Sequence, residues 1–380
     1  MLQINNKFHK LIFIIITILF FDYLFSFFIK NKKFWHEMYP DKYWRIPSYI
    51  YHHDLKPNVE ETETWGGNKY KFTTNSLGFR DFEIRKISKI NLQKKRILLI
   101  GDSMTEGALE YSISYSGLLT KYYKDNYEVL NAGVGSYSPT NYYYKIKYYL
   151  DQGYKFNNII IFLDISDVVD EQKYKYDDND NLILKKNFYN KKVSSNIFIY
   201  LRDNFITFRT ISLIIDNTEK LKNFIKFKYK SSIFFKKNIF LISKRDIELY
   251  KMINLDIGAW TQNIDEFRYN IKNVESGINR AEKNLQRLAR LADKNNINIT
   301  LVIYPWPNQI YFEYNFYRNY WKNFSLKNNI NFIDLYDDII DHSKKAEENI
   351  LENYILGDIH FNKNGNFKIF NALISKLKIN

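Results

Sequence analysis

The sequence predicts an α/β fold, a parallel sheet with helices on both faces, and two observations carry that prediction. Short, mostly apolar runs recur after residue 95: Ile97 to Ile100, Tyr127 to Leu130, Ile159 to Leu163, Ile297 to Tyr304 and Ile330 to Leu335. Apolar residues at successive rather than alternate positions mark strands buried on both faces, as in parallel sheets. Between these runs the spacing turns helical. Tyr115, Leu118, Leu119 and Tyr122 recur in that way, and Val274, Ile278, Ala281, Leu285, Leu288 and Ala292 form one long stripe. Five strands alternating with helices imply right-handed crossovers.

The chain begins with an almost unbroken apolar stretch, Leu11 to Ile29, close to the ~20 residues that span a bilayer. Lys7 and Lys10 precede it, and Lys30, Lys32 and Lys33 follow. No small-x-small cleavage site follows, so residues 1–32 read as an uncleaved anchor rather than a removed signal. The lysine balance does not by itself favour a cytoplasmic N-terminus. A short tail before a first apolar segment is nevertheless the arrangement of a signal anchor, which places the rest of the chain outside the cytoplasm. Asp22 is the charged exception, suited to pairing with a partner helix in the membrane or to reaching water near an interface.

Residues 33–95 form a polar, aromatic leader with little periodicity. It holds Tyr51-His52-His53-Asp54 and Thr74-Asn75-Ser76-Leu77-Gly78-Phe79-Arg80-Asp81, where Asn75, Ser76 and Gly78 read as turn chemistry. Adjacent histidines project to opposite sides of an extended chain, which argues against a shared metal. Residues 96–380 form the domain of alternating strands and helices. Ser138-Pro139 is an N-cap followed by proline at the first helical position. From about residue 170 to 272 the alternation stops, too long a gap for a crossover. This insert has an acidic turn (Asp177 to Asp180), an apolar stretch (Ile197 to Ile215) and a basic-aromatic stretch (Lys220 to Arg245). The last reads as an amphipathic helical insert with a solvated lysine face, or as one resting on an anionic membrane surface. A final helix spans Gly365 to Leu377.

Composition narrows the function. A formal charge of +14 fits an anionic membrane surface or an acidic glycan, but no nucleic-acid reader motif accompanies it. Tyr 32 and Phe 30 are high counts that, with many Lys, Asn and Ile, resemble the codon bias of an AT-rich genome. Cys 0 removes disulfides, zinc thiolates and a cysteine nucleophile.

The first sheet strand stops at Gly101-Asp102-Ser103, a polar turn at the carboxyl end of a buried strand, where α/β folds place their chemistry. Ser103 is a candidate nucleophile and needs a base, an orienting acid and oxyanion donors; its bland role is to cap the following helix. Of the six histidines, His9 and the leader's His36, His52 and His53 lie before the strands, and His342 falls in a predicted helix among charges. His360 lies in a turn-rich loop with Asp358 two residues earlier, on the same side of an extended chain. Trp306 is suited to a sugar face or to packing. Asp164, Asp167, Asp170 and Glu171 are acidic neighbours that a metal cluster would need.

Four segments in order, G-D-S-M-T-E-G, N-A-G-V-G-S-Y-S-P, Asp164-Ile165-Ser166-Asp167 and G-D-I-H-F-N, resemble the SGNH/GDSL hydrolase superfamily over Arg96 to Asp167 and from Ile297 onward. The leader's T-N-S-L-G-F-R-D resembles a segment that often precedes the first block in membrane-linked members. The resemblance implies a flavodoxin-like three-layer sandwich with a five-stranded parallel sheet, acting through a serine ester without metal or cofactor. By position it implies Ser103 as nucleophile, His360 as base and Asp358 as supporting acid. Oxyanion donors would be the N–H of Ser103 and of the second-block turn, where Ser136 follows Gly135. Ser166 stands where the family has asparagine, and D-x-H replaces the commoner D-x-x-H, as in bacterial polysaccharide acetyltransferase relatives. These features together imply a membrane-anchored esterase or O-acyltransferase for an acylated envelope glycan or lipid-linked sugar. The rival is a catalytically weak binding or assembly module of an envelope polysaccharide complex, which the Ser166 departure, Asp22 and the insert would favour.

Overall fold

The structure, a computed structural model, describes residues 2–29, 44–65, 67–177, 182–183, 201, 204–255, 257, 271–313 and 315–379. Lys30, Lys32, Lys33, His36, most of the acidic turn and most of the stretch from Ile197 to the insert's long helix lie outside the described residues. The chain divides into two units, one of residues 1–43 and 185–241, the other of residues 44–184 and 242–380.

In the first unit, α1 (Leu2–Ile29) contains Phe8–Phe28, 21 residues long and apolar enough to cross a membrane. The insert supplies the 29-residue helix Ile206–Phe234, with Lys220, Lys222, Lys226 and Lys230 exposed along it. Its N-cap residue, Phe205, offers no capping side chain. Asp22 and Ser26 of α1 take that role instead: Ile206 N–H donates to Ser26 Oγ at 2.8 Å and to Asp22 Oδ1 at 3.1 Å, and Thr207 N–H donates to Asp22 Oδ2 at 3.3 Å. A carboxylate there satisfies orphan donors and meets the positive end of the helix dipole. Asp22 is therefore buried against a helix of its own chain.

The second unit holds the sheet. The leader, which showed little periodicity in sequence, folds into two antiparallel hairpins: β1 (Arg45–Ser48) with β2 (His52–Leu55), and β3 (Glu60–Trp65) with β4 (Asn68–Thr73). From Trp44 onward it belongs to the same compact unit as the strands that follow. These are β5 (Lys95–Ile100), β6 (Tyr127–Asn131), β7 (Asn158–Leu163), β8 (Asn298–Ile303) and β9 (Asn331–Asp334). They form one all-parallel sheet ordered β9-β8-β7-β5-β6, the flavodoxin-like order with its switch point beside β5. The central β7 is buried along its whole length, as its unbroken apolar run requires. The helices fall into two packed groups. One pairs α3 (Tyr115–Tyr123) with α7 (Lys363–Lys376); the other sets α4 (Pro139–Asp151) and α5 (Ile165–Asp170) against α6 (Ile271–Lys294). His342 lies in a turn rather than a helix, exposed, with Nε2 at 3.3 Å from Asp337.

Buried charges dock the leader onto this sheet unit. Asn75 Oδ1 closes the leader's turn by accepting the N–H groups of Leu77 and Phe79, and Gly78 sits at φ 77° where a Cβ would meet Leu55 O at 2.2 Å. This delivers Arg80, whose N–H bonds Asn131 O on β6 and whose guanidinium donates to the carbonyls of Glu106, Gly107 and Leu109. Lys145 of α4, wholly buried, reaches Asp54 of β2 at 2.8 Å. Arg45 of β1 grips the wholly buried Glu106 with two bonds of 2.9 and 2.6 Å. Burial opposes the Glu106 charge, but the Arg45 charge, its bidentate bond and the Gly135 N–H hold the carboxyl below its usual range.

Arg45→Ala would strand an ionised, solvent-excluded carboxylate, at a cost of about 3 kcal/mol. A Glu106 pKa lower in the folded than in the unfolded state stabilises above the usual glutamate range, and that stability is lost as pH falls through the folded value. Urea unfolding should therefore show a deficit for Arg45→Ala that is full at pH 7 and shrinks on acidification toward about pH 4, near the ordinary glutamate value. A deficit that stays constant with pH would mean that Arg45 acts by packing alone.

Candidate active site

The nucleophile's position follows from the end of β5. Gly101 lies so close to its surroundings that a Cβ would fall 2.1 Å from Thr105 Oγ1 and 3.0 Å from Phe162 O, which lets the chain turn sharply off the sheet. Asp102 then caps α2 (Ser103–Glu106), its carboxylate accepting Met104 N–H at 2.8 Å. Capping is thus done by Asp102, and the Ser103 hydroxyl is left for other work.

That hydroxyl meets His360. Nε2 of His360 lies 2.8 Å from Ser103 Oγ, and Nδ1 lies 2.5 Å from Asp358 Oδ1. The D-x-H loop does present both groups to one side, with the His360 N–H also bonding Asp358 Oδ1 at 3.1 Å. The second oxygen of Asp358 accepts the indole N–H of Trp65 at 3.0 Å, and the Trp65 ring stands edge-on to His360 at 4.6 Å. Burial pushes Asp358 up, but the bond and charge of His360 and two backbone N–H groups outweigh it and hold the carboxylate below its usual range. It is ionised when His360 takes up a proton. Ser103 Oγ also lies 3.2 Å from Asp102 Oδ2. Burial and the neighbouring Asp164 push Asp102 well up, favouring its neutral form and weakening its competition for the serine proton.

The oxyanion candidates divide. The N–H groups of Ser103 and Ser136 carry no hydrogen bond among the described residues. Ser136 sits at φ 64°, left-handed for a residue with a Cβ. Gly135 adjoins Ser103, since a Cβ on it would lie 3.6 Å from Ser103 Cβ. Its N–H, however, is spent on Glu106 Oε2 at 2.7 Å. Ser166 is also spent: its N–H and its hydroxyl both bond Asp164 Oδ1 at 2.7 Å. Ser166 therefore closes onto its own turn.

Other expectations resolve similarly. Trp306 is 2% exposed and packs in the core, so it offers no face to a sugar. Glu171 accepts bonds from Ser138 Oγ, Thr140 N and Thr140 Oγ1, and Asp167 accepts Tyr142 Oη. Asp170 pairs with Lys173. The four acidic neighbours thus serve local contacts. His52 and His53 do not point apart: His52 sits at φ 81°, which breaks the extended geometry and brings the two Nδ1 atoms to 2.8 Å. His53 Nε2 lies 2.8 Å from Gly135 O. Sequence reasoning missed Arg45, Trp65 and Glu106 entirely. Arg45 and Trp65 come from hairpins that carried no periodic signal. Glu106 lies within the first block, and only its burial gives it away.

No protein-family model and no curated protein matches the chain. Solved structures do align with it. One is a psychrotrophic esterase from Pseudoalteromonas sp. (11% identity, TM-score 0.36, covering 74% of this chain and 96% of that one). Another is a member of the lipolytic G-D-S-L family from Veillonella parvula (11%, 0.37, 74% and 97%). A third is a variant of an acetyl-xylooligosaccharide esterase from Geobacillus (12%, 0.36, 77% and 98%). The α/β architecture itself is read from the five parallel strands and their order.

Proposed function

We propose that this chain is a membrane-anchored serine esterase or O-acyltransferase acting on an acylated cell-envelope glycan or lipid-linked sugar. The observation that carries the reading is the continuous relay from Ser103 Oγ through His360 to Asp358, with 2.8 and 2.5 Å contacts. Ser103 Oγ attacks the acyl carbonyl carbon while its proton passes to His360 Nε2. The imidazolium rests against ionised Asp358. The carbonyl oxygen, now an alkoxide, takes the N–H groups of Ser103 and Ser136. Collapse breaks the bond to the alcohol, which leaves with the proton from His360. Water or a sugar hydroxyl then attacks the acyl-enzyme, giving up its proton to His360, and the second collapse returns that proton to Ser103 with release of an acid or a new ester. Hydrolysis and transfer differ only in the second nucleophile.

The apolar Phe8–Phe28 helix supports an anchor, and the exposed lysines of the insert suit an anionic lipid surface. A glycan substrate and a site outside the cytoplasm are the readings this anchor favours. The acetyl-xylooligosaccharide esterase among the similar structures illustrates an acylated-carbohydrate substrate. The rival reading, a catalytically weak binding module, draws on Ser166 being closed onto Asp164.

A fluorophosphonate should label the wild-type protein, and p-nitrophenyl acetate should be turned over. Ser103→Ala should neither label nor turn over, and His360→Ala should lose at least ~10⁴ in kcat. A folded wild type that does neither would leave only the binding module. Trp65→Phe keeps the ring but removes the N–H on Asp358. A bond to a charged group is worth ~1.5 kcal/mol, so kcat should fall about tenfold; an unchanged kcat would make Trp65 a packing residue only.

A further inference from the structure

We propose that His53 of the leader is a positioning residue for the oxyanion site, aiming and polarising the Ser136 N–H through the Gly135 carbonyl. The inference rests on the serine reading of Ser103 and His360. It starts from the rigidity of the peptide unit. Gly135 C=O and Ser136 N–H belong to one plane and, in a trans peptide, point in opposite directions. Whatever fixes the oxygen therefore fixes the N–H. His53 Nε2 lies 2.8 Å from that oxygen.

The tautomer follows from the contacts. A carbonyl only accepts, so His53 Nε2 carries the proton and donates. Burial, only partly offset by the Gly135 carbonyl, holds His53 down to about 4, so near neutrality the ring is uncharged and has one N–H to give. His53 Nδ1 must then accept, and the group facing it is His52 Nδ1 at 2.8 Å, which donates. His52 thus selects the tautomer that puts the His53 proton on Gly135. His52 holds this place with a left-handed φ of 81°. Edge-on contacts hold both rings, Tyr174 against His52 at 5.3 Å and Tyr137 against His53 at 4.9 Å. The Tyr137 hydroxyl returns to His53 O at 2.7 Å.

The same turn is bolted from its other side, where Gly135 N–H meets Glu106 and Glu106 meets Arg45. Gly135 is held at both its polar groups, while the next N–H along, that of Ser136, is left without a partner among the described residues. A hydrogen bond onto an amide oxygen also strengthens the N–H at the far end of that amide as a donor. The leader hairpin therefore supplies a pre-aimed, polarised donor where negative charge develops, which is the form of electrostatic stabilisation that needs no reorganisation during the reaction.

Two variants separate the hydrogen bond from packing. His53→Phe keeps a ring and removes the donor; His53→Gln removes the ring and keeps an N–H at a similar reach. Both are prepared in the full-length protein and checked by thermal melting, and kcat and KM for p-nitrophenyl acetate are measured with the fluorophosphonate labelling rate. His53→Phe should lower kcat and the labelling rate by about 10- to 100-fold, below the ~10²–10³ seen when an oxyanion donor is removed outright, with KM nearly unchanged. His53→Gln should recover to within about threefold of wild type. A folded His53→Phe with wild-type kcat, or a His53→Gln as impaired as His53→Phe, overturns the proposal. If His53→Phe does not fold, His53→Gln alone decides, a loss beyond tenfold overturning the proposal. A wild type that neither labels nor turns over overturns the serine reading and this proposal with it, which distinguishes that failure from an active wild type indifferent to His53.

Discussion

The Glu106 carboxylate constrains everything around it. It sits three residues beyond the nucleophile, fully buried, and it is ionised. A charge in that position is tolerated only if donors surround it, and here the donors decide where the leader goes. Arg45 must approach from β1, and that fixes the first hairpin against the sheet. Gly135 must turn its N–H inward, which leaves the following N–H to face elsewhere. One buried charge thus couples the placement of an N-terminal hairpin to the shape of the turn beside Ser103. The leader is tied to the candidate site by physical necessity, since removing it would take Arg45 from Glu106 and Asp54 from Lys145 in a dry interior.

The parts legible in sequence are those encoded by local pattern. Strands β5 to β9 announced themselves because short apolar runs at consecutive positions, bounded by turns, suit a strand covered on both faces. Ser103 stood out because a small polar turn ended such a strand. Asp358 and His360 were legible as a pair because i and i+2 share a side in an extended loop. The illegible parts depend on tertiary contact. Arg45 and Trp65 are ordinary residues in a polar leader, and nothing in their spacing says that one will meet Glu106 and the other Asp358. His53 was visible but misread, because the argument from an extended chain assumed ordinary backbone at His52. Its left-handed φ overturns the side-to-side alternation. Ser166 and Gly135 were assigned by alignment to a pattern, and their donors went to nearer acceptors.

Asp22 makes the same point. In sequence it is a charge in an apolar segment, and such charges are expected to find a partner or water. Its partner is the start of a helix some 180 residues later, one whose own N-cap position, Phe205, has no oxygen to offer. The insert's missing cap and the apolar helix's unwanted charge answer each other. Neither residue alone predicts this, because a missing cap is a common defect and a membrane-segment acid has many uses.

Electrostatics around Ser103 follow one rule, which suits the proposed serine chemistry: no unpaired negative charge is kept beside its hydroxyl. Three buried carboxyls lie near Ser103. Asp102, Asp164 and Asp167 are all pushed upward, by burial first and then, for Asp102 and Asp167, by the neighbouring Asp164, which favours neutral forms. Two carboxylates do ionise. Asp358 is matched by His360 and Trp65, and Glu106 by Arg45. Ser166 accordingly has a coherent role within its own turn. Two of its donors close on Asp164 Oδ1 and lessen the cost of any charge that remains there. On the proposed serine mechanism, with Ser166 held back by Asp164, the second donor to the oxyanion comes from the Ser136 turn, and aiming it falls on the residues that clamp Gly135.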